Sequence, residues 1–327
     1  IDEFQHAPEL LSYIKVLVDA QPRPGYFVLT GSQNFLMNAA ITESLAGRVG
    51  ILTLLPLSLH ELAQNQLITT THPEALLFRG AYPRLYLNQF EPDEVYPNYI
   101  QTYLERDVRQ LINVANLATF QRFLQLCAAR IGQLLNISDL ATACAVSVPT
   151  VKHWLTILEA SYIIFLLRPY WPNFNKRLTK SPKLYFFDTG LVCSLLGLEL
   201  AQLIPQQANY GGLFESLIIS DLYKQFYNQG RRPALYFWRD QNGDLEIDGL
   251  IDKNGQLTPI EIKASETFNP HFFTGLHKWC QLAQVAPQNS YVVYGGTLSM
   301  ANQQGRLLSW QQAGTLVADL HHHLPAA

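Results

Sequence analysis

Cysteine is scarce in this sequence: four residues among 327, at positions 127, 144, 193 and 280, with no Cys-x-x-Cys pair. That spacing excludes a zinc ribbon and a disulfide frame, and it fits a reducing cytosol. Long apolar runs are missing too. The longest one near the middle, YIIFLL at 162–167, stops at Arg168 and is far too short to span a bilayer. With no secretory leader visible, a cytoplasmic chain without membrane contact is expected. The dipeptide Gly-Lys occurs nowhere. The three adjacent histidines at 321–323 cannot share one helical or strand face, which argues against a metal site there. With a net charge of −3, the chain as a whole is not built to coat a polyanion.

What is present is unevenly placed. Hydrophobic residues make up 48% of the chain, enough for the cores of two or three domains. Net charge is −5 over residues 1–118, +4 over 119–210 and −2 over 211–327. The middle third is therefore the place to look for a polyanion.

Near the start, apolar spacing over 8–20 predicts a helix. YFVLT (26–30) reads as a buried strand running into the turn TGSQ, and 51–55 as another strand. This rhythm predicts an α/β layout with a parallel sheet, whose strand ends face a ligand crevice. The turn at 30–33 then stands where a γ-phosphate or attacking water would be sensed, although Gly31 alone would also explain it as a plain turn. YLERDVRQL (103–111) reads as a solvated helix face with opposite charges three and four apart.

The middle third carries a clear local pattern. TFQRFLQLCAARIGQLL is an amphipathic helix, ISDLATACAVS a short one with Ser138 as expected N-cap. VPTVKHWLTILEAS is a third, with Pro149 in its first turn and Val151, Trp154, Leu155 and Leu158 on one face. Two apolar runs follow, predicting a helix-turn-helix with a β-hairpin wing. The wing segment carries Lys176, Arg177, Lys180 and Lys183, and the third helix points Lys152 and His153 outward. Such groups suit contact with backbone phosphates, while few side chains there read bases. Sequence-independent DNA contact and a purely protein–protein role both remain open at this level.

The last third holds the sharpest chemistry. GGLFESLIISDLYKQF (211–226) is a helix with Glu215 near its start, YFWRDQNGDLEIDGLID (236–252) a hairpin turning at NGD, and LTPIEIKAS (257–265) a further strand. Alternate side chains share a strand face, pairing Glu246 with Asp248 and Glu261 with Lys263. An acid followed 13 residues later by Glu-x-Lys on an adjacent strand can converge carboxylates and an ammonium on one spot. Carboxylates there would hold Mg²⁺, and the lysine would orient hydroxide at a phosphodiester. Ordinary charge pairing on a surface hairpin is the competing reading.

Taken together, IDEFQHAPEL, LTGSQ, SLAGRV, LPLSLHEL, YLERDV, NKRLTKSPKLYFFDTGL, GGLFES, YFWRD, EID and PIEIKAS resemble one family, in this order from residue 1 to about 265. It is a bacterial and archaeal family in which an AAA-type P-loop ATPase domain precedes a winged helix and a C-terminal domain similar to PD-(D/E)xK nucleases. The resemblance implies a multidomain α/β chain: a partial P-loop domain over 1–66, a helical linker or lid over 67–118, a winged helix over 119–204 and a nuclease-like domain over 205–327. It implies that Asp2 holds Mg²⁺ and Glu3 polarises the hydrolytic water, with Ser32 and Gln33 as sensors and Arg48 as a charge-neutralising arginine. It assigns Glu215, Asp248, Glu261 and Lys263 to the nuclease-like motif, Asp248 and Glu261 as metal ligands.

The family's phosphate-gripping Gly-x-x-x-x-Gly-Lys loop belongs upstream of IDE. Without its amides and lysine the phosphates of ATP have no cradle. The sequence, starting at Ile1, is therefore expected to begin partway through that domain and not to bind ATP, although the full-length family does. Three functions compete: an ATP-driven DNA-associated protein in truncated form, a Mg²⁺-dependent endonuclease independent of ATP, and a non-catalytic DNA or protein interaction module, alone or as a homo-oligomer.

Overall fold

The computed structural model describes residues 1–31, 45–87, 90–104, 117–170 and 181–322. Ser32, Gln33, Lys176, Arg177, Lys180 and residues 105–111 of the charged helix expected over 103–111 lie outside them. At the N-terminus, helix α1 (Leu10–Ala20) packs Leu11 and Ile14 against Phe4 and Leu45. Residues 1–4 run alongside 28–30: the terminal amine donates to the Val28 carbonyl at 2.7 Å, and the Thr30 N–H to that of Ile1 at 2.9 Å. These bonds make one parallel step between Ile1 and Leu29. Neither 26–30 nor 51–55 is a strand, contrary to expectation, since Leu52 and Leu54 are 79% and 93% exposed and a ladder needs a partner.

Four short elements follow: α2 (Leu59–Gln64), α3 (Pro73–Arg79), a single α-helical turn at Arg84–Leu87 and α4 (Pro92–Tyr99). Helix α2 starts with a capping box in which the Ser58 hydroxyl and the Glu61 carboxylate each accept the other's backbone N–H.

Three helices then come in close order: α5 (Leu117–Ala129), α6 (Ile137–Cys144) and α7 (Val148–Ala160). Val151, Trp154, Leu155 and Leu158 are buried on one face of α7, and Trp154 meets Phe120 of α5 edge to face, ring centres 5.3 Å apart, and Phe123 at a tilt, 5.1 Å apart. The cap of α6 is Asn136, whose side chain accepts from the Asp139 N–H, rather than Ser138; Asn is an equally good acceptor and stands one residue before the helix. An antiparallel hairpin follows, β1 (Ile164–Leu167) with β2 (Lys183–Phe186). Leu134 bridges to Lys183, clipping β2 to the α5–α6 connection.

After α8 (Thr189–Leu195) comes the order helix, three strands, helix, strand: α9 (Tyr210–Asn228), β3 (Leu235–Arg239), β4 (Glu246–Lys253), β5 (Gln256–Lys263), α10 (Thr274–Ala283) and β6 (Tyr291–Tyr294). Strands β7 (Met300–Asn302) and β8 (Gly305–Ser309) and helix α11 (Leu316–His322) complete it. The sheet order is β3-β4-β5-β6-β8-β7, antiparallel from β3 to β5 and parallel from β5 through β6 to β8. Trp238, Ile247, Leu276, Trp279 and Val292 form the core beneath α10.

Two junctions hold the pieces together. Residues 168–170, leaving β1, exchange backbone hydrogen bonds with Phe237 of β3, joining the hairpin to the edge of the large sheet. On the other side, buried Asp221 of α9 accepts from the Leu59 N–H at 2.6 Å, and Lys224 donates to the Leu57 carbonyl at 3.1 Å.

Candidate active site

Strand alternation puts Glu246 and Asp248 on one face of β4, and the antiparallel pairing of Gly249 with Ile260 sets Asp248 opposite Glu261 on β5. The Asp248 carboxylate accepts the Ile262 N–H at 2.9 Å. Helix α9 supplies Glu215 from above, because its first turn approaches the end of α5 closely. A Cβ on Gly212 would lie 2.5 Å from the Ile131 carbonyl oxygen, and Gly132, at φ +74°, lies opposite. The Glu261 carboxylate accepts from the Lys263 ammonium, leaving its Oε2 buried and unpartnered.

Lys183 completes the cluster from outside this unit. It opens β2, is 4% exposed, and places Nζ 2.8 Å from Glu215 Oε1, 2.6 Å from Glu246 Oε1 and 3.8 Å from Asp248 Oδ1. Tyr185, two residues on and on the same face, donates to Glu215 Oε1 at 2.5 Å. Arg239 pairs with the other Glu246 oxygen at 3.0 Å. Four carboxylates thus face three cations, and the surplus is negative.

Burial comes first in the electrostatics, and the neighbouring charges second. Burial and then the Asp248 charge push the Glu215 carboxyl up to about 7, against the pull of Lys183 and Tyr185. Burial and Asp248 likewise push Glu261 up to about 8, against Lys263. Burial disfavours the Lys183 ammonium, but Glu215, Asp248 and Glu246 outweigh it and raise its pKa. Glu261 and Asp248 do the same for Lys263. Carboxylate oxygens, one of them buried and unpartnered, are the donor type that Mg²⁺ takes; among the described residues, the group of three whose ligand atoms lie close enough together to hold one ion is His72, Glu74 and Glu266.

The structure thus brings Glu215, Asp248, Glu261 and Lys263 together. It corrects Lys183: its ammonium is enclosed by carboxylates and cannot meet DNA phosphate, because burial without them would leave the charge unpaired. Lys152 and His153 are exposed on α7. Sequence reasoning missed Lys183 in this role, together with Tyr185 and Glu246; the alternating Lys-Leu-Tyr of β2 was the available sign.

At the N-terminus Asp2 accepts from the Thr30 hydroxyl and from the Glu3 N–H at 3.1 Å. Thr30, at the end of the YFVLT run, is the polar group that the parallel step aligns with the carboxylate. Glu3 sits at φ 48°, an uncommon left-handed conformation for a side chain of its size. Arg48 forms two contacts with Asp19, Nε to Oδ1 at 2.5 Å and NH2 to Oδ2 at 3.2 Å.

Residues 1–63 match an AAA domain family, 70–202 a domain of unknown function (DUF8612) and 210–312 another (DUF4143). The chain is 30% identical over 269 residues to the uncharacterized protein Rv2008c of Mycobacterium tuberculosis and to its counterpart Mb2031c of Mycobacterium bovis. Each match covers 82% of this chain and 58% of the relative, so the chain spans little more than half of their length. No solved structure matches significantly. The three matches in this order are consistent with an AAA-type ATPase family. No helix among the described residues is long and apolar enough to cross a membrane.

Proposed function

We propose that the chain is the DNA-handling part of an AAA-type ATPase, and that its carboxylate–lysine cluster is a divalent-cation phosphodiesterase site of the PD-(D/E)xK kind. One observation carries this reading: Glu215, Asp248, Glu261 and Lys263 converge from α9, β4 and β5 in a helix–three strands–helix–strand frame. Asp248 and Glu261 would hold the ion. Bound Mg²⁺ would polarise a phosphoryl oxygen. Lys263, 37% exposed at the outer side of Glu261, neutralises charge that develops on phosphate oxygens. Glu215, locked by Tyr185 and the Gly212 contact, closes the inner side of the site. Three helices followed by a hairpin support a winged helix over the middle unit, with Lys152 and His153 on its third helix facing backbone phosphates. The AAA match and the Asp2–Thr30 contact support an ATPase origin for residues 1–63.

Plasmid nicking in Mg²⁺ or Mn²⁺ tests the chemistry. The parent chain is expected to nick, and Asp248→Asn and Lys263→Ala to lose about a hundredfold or more of the rate. A parent chain that nicks with neither ion ends the catalytic reading. The burial of Lys183 favours a second reading, in which the cluster only fastens the two units together. Nicking by the parent that is lost in Asp248→Asn would exclude it.

A further inference from the structure

We propose that His72, Glu74 and Glu266 form a zinc site, separate from the carboxylate–lysine cluster, that clasps the start of α3 to the segment leaving β5. One ligand atom from each lies within 4.8 Å of the others. His72 Nδ1 stands 3.3 Å from Glu266 Oε1 and 3.8 Å from Glu74 Oε1. Four-coordinate Zn²⁺, with nitrogen and oxygen donors at about 2.1 Å, spaces its ligand atoms about 3.4 Å apart. The two distances lie close to that spacing, so small side-chain rotations bring all three atoms onto one ion. The nitrogen selects the metal: imidazole suits Zn²⁺, whereas Mg²⁺ and Ca²⁺ prefer oxygen donors. Three protein donors leave a fourth position for water, and the exposed His72 and Glu266 leave a path from solvent.

A second observation points to a cation. Glu74 Oε2 is buried and meets no donor. Among the described residues no lysine or arginine pairs with Glu74 or Glu266, so an imidazolium could offset only one of the two charges. Burial and then those two carboxylates push the Tyr210 hydroxyl up to about 12, which marks the same corner as negative. The backbones are fixed on both sides. Gln311 Nε2 donates to the Thr70 carbonyl at 3.0 Å and Trp310 Nε1 to the Thr71 carbonyl at 3.3 Å, holding the residues before His72. The Gly295 N–H donates to the Ser265 carbonyl at 3.2 Å, and a Cβ on Gly296 would lie 2.4 Å from the Glu266 carbonyl oxygen. His72 and Glu74 lie in the 70–202 match and Glu266 in the 210–312 match, so the ion ties one unit to the other.

The test titrates the full chain, dialysed against a chelator, with Zn²⁺ in a calorimeter. The parent is expected to bind one ion with micromolar or tighter affinity, and His72→Ala and Glu266→Gln each to weaken it at least about tenfold. Both replaced side chains are exposed, so the variants keep the fold. Co²⁺ as a second probe should give the visible absorption of a four-coordinate ion in the parent and not in His72→Ala. No binding by the parent overturns the site. Equal affinity in parent and variants also overturns it and moves the ion elsewhere, to the 321–323 histidines if their replacement by alanine abolishes binding. Saturating Zn²⁺ is expected to raise the thermal midpoint of the parent but not of Glu266→Gln; an unchanged midpoint under bound Zn²⁺ overturns the clasp.

Discussion

Lys183 shows how far burial can reverse the meaning of a residue. By composition it is the last of four basic groups in a basic stretch, yet at 4% exposed it is the counterion of three acids. Its neighbour Tyr185 donates one hydrogen bond to Glu215, and Tyr185→Phe should cost about 1–2 kcal/mol in denaturant unfolding. The two raised carboxyls set a pH dependence. Glu215 and Glu261 bind protons more tightly folded than unfolded, so their contribution to stability is complete below the unfolded value near 4.5 and is lost as pH rises through about 7 and 8. Thermal midpoints are therefore expected to fall between pH 5 and 8.5, and Glu261→Gln to flatten the upper half of that slope. An unchanged slope in the variant would remove Glu261 as the source.

At the scale of elements, two structural devices place the site. One is glycine: Gly212 lets α9 approach the end of α5, and Gly212→Ala should cost about 1–3 kcal/mol while moving Glu215 off the sheet, because the obstacle is backbone. The other is Asp188, the residue that opens the DTG of YFFDTGL. Its buried carboxylate accepts from the Leu191 N–H at 2.8 Å, the Ala81 N–H at 2.6 Å and the Tyr96 hydroxyl at 2.7 Å, tying α8 to α3 and α4. Asp188→Ala leaves the Leu191 and Ala81 N–H groups without their acceptor, while the Tyr96 hydroxyl keeps the Arg79 carbonyl at 3.0 Å, and should cost about 3 kcal/mol or more, read as a lowered denaturation midpoint. The motif therefore serves assembly rather than chemistry. Helix periodicity and turn signals already placed α1, α7, α9 and the β3–β4 hairpin, since those elements follow local apolar spacing. The runs at 26–30 and 51–55 carried the same local signal and made no strand, because a strand depends on partners elsewhere.

Across the whole molecule, charge and exposed apolar surface are unevenly placed. Apolar residues lie exposed along the first 54 residues, among them Tyr13, Val16, Val28, Ile51, Leu52 and Leu54. ATP binding is expected to be undetectable by calorimetry for this chain; micromolar affinity would refute the idea that a Gly-Lys loop is indispensable here. DNA affinity, if the middle unit meets backbone phosphate, should fall steeply between low and physiological salt, and a flat response in a filter or anisotropy titration would exclude that contact.

The sequence by itself determined that Glu246 shares a strand face with Asp248 and Glu261 one with Lys263, and that Glu215 stands near a helix start, because strand alternation and helix position are local rules. It also determined the basic middle third. Only the tertiary structure decided that a lysine from the hairpin joins those acids, and that Thr30 meets Asp2. Those pairings join residues 28 to 65 positions apart, and nothing in local periodicity encodes which distant charge fills a buried cage.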